Sequence, residues 1–60
     1  MCMDCGCGAS HGESKLTTEH LVFEDLKKIA EADGTSVAQV VANINQAAEK
    51  DRREHPSEWA

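Results

Sequence analysis

Apolar positions recur at helical spacing along the second half of the chain. Val37, Val40, Val41, Ile44, Ala47 and Ala48 line one face. Gln39, Asn43, Gln46, Glu49 and Lys50 fall on the opposite face, which reads as solvated. Ser36 followed three residues later by Gln39 is a capping-box start. His55 precedes Pro56 and is pushed out of α geometry, so this helix should fade near Arg53–Glu54. A shorter helix comes before it. Val22, Leu26, Ile29 and Ala30 follow the i, i+4, i+7 spacing of one helix face, and Gly34 stands where a left-handed C-cap residue is wanted. Its start has two candidates. Thr17 is an N-cap residue with Leu16 and Leu21 as a hydrophobic staple, whereas a start near Val22 would place Glu24 and Asp25 favourably in the first turn. Only Asp33-Gly34-Thr35 joins the two helices, so they must lie as a hairpin or an angled corner.

Residues 1–15 show neither period. They carry three of the four glycines and all three cysteines, as expected of a loop. The pattern therefore predicts a small all-α protein: a Cys/Gly-rich loop over 1–15, a two-helix hairpin over 16–55 with helices at about 17–33 and 36–54, and a tail over 56–60. Trp59 in that tail either packs back on the hairpin or docks on a partner.

Size and charge narrow the function. A chain of 60 residues buries only about 60% of the surface its unfolded form exposes. Such a core rarely supplies more than about 3–5 kcal/mol, so a metal, a disulfide or a partner chain is expected to help. Eleven Asp+Glu against six Lys+Arg leave a net charge of −5, which opposes binding to nucleic acid, where Lys and Arg must neutralise phosphates. No apolar run approaches the ~20 residues of a membrane span, and no secretory pattern opens the chain, so a cytoplasmic protein is expected. The length excludes a large enzyme fold. No Ser/His/Asp set, paired-carboxylate arrangement or phosphate loop can be assembled, so catalysis is not expected. Two short helices would leave the stripe of Val37, Val40, Val41, Ile44 and Ala48 half covered, which suggests a protein partner or a second copy of the chain.

The cysteines carry the chemistry. Cys2-x2-Cys5-x-Cys7-x3-His11 places three soft donors and one borderline donor in a short span. A Cys5–Cys7 bridge would be strained, and an odd, clustered set is a poor disulfide framework. Clustered thiols in a reducing compartment more often bind metal. A two-residue gap lets a tight loop bring two thiolates to one ion, and three thiolates with one imidazole make a closed zinc set. Gly6 and Gly8 allow the backbone to curl without a Cβ clash. The candidate ligands are thus Cys2, Cys5, Cys7 and His11, with Zn(II) expected and Ni(II) the alternative. The terminal amine beside Cys2 competes with His11 for the fourth place, and Asp4 would suit a harder ion. An iron–sulfur cluster ordinarily takes four cysteines, so here it would need histidine, an outside ligand or a second chain. His20 and His55 read as surface residues.

The opening Met1-Cys2-x-x-Cys5-Gly6-Cys7-Gly8 resembles the N-terminal metal motif of the hydrogenase maturation GTPase that handles nickel. That resemblance implies nickel held by Cys2, Cys5 and Cys7 with the terminal amine, and a role in metalloenzyme maturation. It covers eight residues, and no G-x-x-x-x-G-K-[ST] loop follows, so only the metal clamp is shared. A second resemblance spans residues 15–53. Phe23, Leu26, Ile29, Ala30, Gly34-Thr35-Ser36, Val40 and Ile44 fall like the helices of a ribbon-helix-helix repressor. It implies a strand over Lys15–His20 that aims Lys15, Thr17 and Glu19 at DNA bases. Three functions follow as expectations: a metal carrier or accessory protein, a zinc-stapled structural or regulatory subunit, and a DNA-binding regulator.

Overall fold

The computed structural model describes residues 3–6, 8, 10–14, 16 and 18–60. Among these, two α-helices form, α1 (Phe23–Asp33) and α2 (Val37–Glu54), followed by a short 3-10 helix (Pro56–Trp59); no described residue lies in a strand. The architecture is small and all-α.

The helix α1 begins at Phe23 rather than at Thr17, the later of the two starts its sequence allows. The reason lies in its first turn. Val22 is extended (φ −132°, ψ 172°), and its N–H donates to the Asp25 carboxylate at 2.9 Å. The Asp25 N–H in turn donates to the Val22 carbonyl at 3.0 Å, so an acidic third residue closes the end without a hydroxyl cap. Residues 18–22 stay outside the helix, and the expected Leu16–Leu21 staple has no helix start to close. Thr17 itself lies outside the described residues. The segment that the ribbon-helix-helix resemblance assigns to a strand contains no strand at its described positions, 16 and 18–20.

The far end of α1 is closed by Gly34 at φ 69°, ψ 35°. Its N–H donates to the Glu31 carbonyl at 3.3 Å, and the Thr35 N–H donates to the Ala30 carbonyl at 2.9 Å. This pair of bonds is the Schellman arrangement, in which a residue without Cβ takes the left-handed position. Ser36 then caps α2, its hydroxyl oxygen accepting from the Gln39 N–H at 3.1 Å. The Gln39 side chain turns along the helix, its Nε2 donating to the Asn43 Oδ1, one turn on, at 2.8 Å. The helix ends at Glu54, with the His55 N–H donating to the Asp51 carbonyl at 2.7 Å before Pro56 turns the chain.

The hairpin core is Leu26, Ala30 and Val40, with half-buried Val37 packed against it. The α2 stripe thereby divides. Val40 is 6% exposed and faces α1, whereas Ile44, one turn further on, is 51% exposed and Val41 is also on the surface. Contact between the helices is therefore concentrated near the turn. Length adds to this: eleven residues give α1 about 16 Å and eighteen give α2 about 27 Å, so α2 overhangs. The 3-10 helix folds back on the overhang. There the Trp59 indole N–H donates to the Asp51 carboxylate at 2.8 Å, and the Arg52 guanidinium lies 5.0 Å from the ring centre. Trp59 thus packs back on the hairpin, against the end of α2. No helix among the described residues is long and apolar enough to cross a membrane.

Candidate metal centre

The N-terminal loop is pinned to the extended residues that lead into α1. The Met3 N–H donates to the Leu21 carbonyl at 2.7 Å, and the Phe23 N–H donates to the Ser10 carbonyl at 2.6 Å. In extended backbone, residues two apart present their amide and carbonyl groups on the same edge. The chain from Met3 to Ser10 thus leaves that edge beside Leu21 and returns to it beside Phe23. Cys5 lies on this excursion and is exposed. Gly6 and Gly8 adopt φ of 81° and 88°, the curl that the glycines were expected to supply. Cys2 and Cys7 lie outside the described residues.

Carboxylates hold the rest of the loop. Glu24, in the first turn of α1, accepts from the Gly12 N–H at 2.8 Å through one oxygen and pairs with His11 Nδ1 at 3.0 Å through the other. These contacts replace the Glu24–Lys28 pairing that the i, i+4 spacing suggests. The Gly12 N–H first, and then His11, hold the Glu24 carboxyl below its ordinary range, because both favour the anion. The His11 ring also leans on Phe23, with centroids 4.8 Å apart and planes tilted by 43°. Asp25 is 0% exposed. Besides Val22 it accepts a hydrogen bond from the Ser14 hydroxyl, so one buried carboxylate serves both the helix start and the loop.

A second histidine is held in the same manner, and the sequence did not single it out. His20 Nδ1 lies 3.0 Å from the Asp4 carboxylate, whose other oxygen accepts from the Leu21 N–H at 3.0 Å. Asp4 is the last residue of the Cys2-x2-Cys5 gap, so His20 is tied to the residue next to Cys5. A carboxylate only accepts, so Nδ1 of each paired imidazole carries a proton, and in the neutral ring Nε2 is then the nitrogen with the lone pair. Metal-binding histidines are commonly oriented in this manner. A thiol and imidazole nitrogens are the donor types that suit a soft or borderline ion. Among the described residues alone, no group of three or more His, Cys, Asp or Glu side chains is gathered to hold an ion. Two of the three expected thiols lie outside those residues.

No family model, curated protein or solved structure matches this chain.

Proposed function

We propose that this chain is a small metal-binding accessory or carrier protein that takes up Zn(II) or Ni(II) through Cys2, Cys5 and Cys7, with an imidazole completing the set. The ion is cargo here. The observation that supports release over permanent stapling is the exposure of the donors. Among the described residues, Leu26, Ala30 and Val40 form the buried cluster of the hairpin, and Cys5 is exposed. The side chains of His11 and His20 are 69% and 53% exposed. An incoming ligand can reach such donors directly. The exposed Val41 and Ile44 offer a docking face for a recipient protein, a role for which Val40, buried in the hairpin, is not available.

The test is competition with a chelator while helicity is followed by circular dichroism, using protein purified without added metal and a Cys5→Ser control. A carrier gives up its ion and keeps its helices. Helicity that collapses as the ion leaves would favour the zinc-stapled structural subunit instead, because binding and folding would then be one event. Metal content equal in the control and the parent chain would refute the clamp. Elemental analysis of the same samples separates zinc from nickel and so bears on metalloenzyme maturation.

A further inference from the structure

We propose that His20, oriented by Asp4, is the imidazole ligand of the N-terminal thiol clamp, in the place that the spacing of the motif gives to His11. The inference rests on the metal-binding reading above and names its fourth ligand. Three contacts support it, all between the Cys2-x2-Cys5 gap and the residues before α1. The Met3 N–H meets the Leu21 carbonyl at 2.7 Å, the Leu21 N–H meets Asp4 Oδ1 at 3.0 Å, and His20 Nδ1 meets Asp4 Oδ2 at 3.0 Å. Backbone and side chain together thus lay His20–Leu21 along Met3–Asp4, the two residues that precede Cys5 in the chain. His11 is also paired with a carboxylate, but its partners lie elsewhere: its ring pairs with Glu24 at 3.0 Å and leans on Phe23, both in the first turn of α1 and not in the Cys2-x2-Cys5 gap.

Asp4 accepts from His20 Nδ1, which fixes the proton there and leaves Nε2 as the coordinating nitrogen. The same carboxylate takes the Leu21 N–H, so the ring is oriented by a group that is itself fixed. The chain then offers Cys2, Cys5, Cys7 and His20, the three-thiolate, one-imidazole set of a closed zinc site.

The experiment uses the full chain and zinc alone. Long-range proton–nitrogen NMR spectra of the imidazoles are recorded before and after one equivalent of zinc, with no substitution needed. The expected result is a large shift of His20 Nε2 and little change at His11 Nε2. In parallel, zinc affinity is measured by competition with a chromophoric chelator. His20→Asn and Asp4→Asn should each weaken binding by about 10–100-fold, the usual range for disturbing a ligand or its orienting partner, and His11→Asn by less than about threefold. Asp4→Asn keeps one oxygen for the Leu21 N–H while removing the carboxylate paired with His20. A shift at His11 Nε2 with none at His20, or at neither ring while the thiols bind zinc, overturns this inference and leaves the clamp. Zinc affinity that Cys5→Ser leaves unchanged overturns both.

Discussion

Asp25 shows how much one side chain can hold in so small a protein. Its carboxylate is fully buried, accepts the Val22 N–H at 2.9 Å, and takes the Ser14 hydroxyl as well. Val22 is itself 0% exposed, so removing the acceptor leaves an amide with no water to replace it. Asp25→Ala should therefore cost about 1–3 kcal/mol in urea unfolding, the usual cost of a buried donor left without a partner. A variant as stable as the parent would show that Val22 finds another acceptor. Glu24, the neighbouring carboxylate, makes a prediction about pH instead. Its pKa is depressed in the folded chain by the Gly12 N–H and by His11. A depressed carboxyl stabilises the fold above its unfolded pKa, near 4.3, and that contribution is lost as pH falls through the lower folded value. Carbon NMR of the metal-free chain should thus show Glu24 titrating below the ordinary glutamate midpoint, with the Gly12 amide shift following the same curve. A midpoint at or above the ordinary value would mean that the loop is not docked on α1. Neither partnership was legible in the sequence, because spacing along a helix points Glu24 at Lys28 and cannot show a glycine twelve residues earlier.

At the scale of elements, the ends of the helices were more legible than their packing. Gly34 and Ser36 act at once through φ, ψ and a single hydroxyl, so local chemistry decides them, and both stand where the spacing expects them. The start of α1 had two local solutions. The choice between Thr17 and Val22 falls to Val22 because residues 20–23 are drawn out against Met3, Asp4 and Ser10, partners that no local signal reveals. The same holds for the histidines. The Cys2-x2-Cys5-x-Cys7 spacing marks the metal chemistry, whereas the pairing of His20 with Asp4 spans sixteen residues and depends on the route of the loop. Gly34 supplies the cleanest test at this level. An added Cβ would meet nothing within 4 Å, so the cost of Gly34→Ala is conformational and not steric. A left-handed alanine costs roughly 1–2 kcal/mol. Thermal unfolding followed by circular dichroism should show that loss, larger than the few tenths expected of an exposed helix-surface substitution such as Gln46→Ala. Equal melting curves would mean that the turn can relax to a right-handed cap.

The molecule as a whole has little core in reserve. Among the described residues, Leu26, Ala30 and Val40 are buried between its helices with half-buried Val37 against them, while Ile44 is half exposed one turn beyond Val40. A buried leucine cut to alanine typically loses 2–5 kcal/mol, comparable with the ~3–5 kcal/mol that a core of this size supplies. Leu26→Ala should therefore leave a largely unfolded chain at 25 °C. Ile44→Ser should change the stability of the single chain by less than about 0.5 kcal/mol, since its side chain already faces water. The contrast carries information about association. If Val41 and Ile44 meet a second copy of the chain, the parent protein melts at a temperature that rises with concentration, because mass action favours the associated folded state. Ile44→Ser should then melt independently of concentration and sediment as a monomer. A parent chain that already behaves so leaves the same face for a different protein, and one whose melting still depends on concentration after the substitution associates through some other surface. The net charge of −5 weighs on the same balance. Like charges repel over about 10 Å at 0.1 M salt, so self-association through this face should strengthen as salt is raised, whereas docking on a basic partner should weaken.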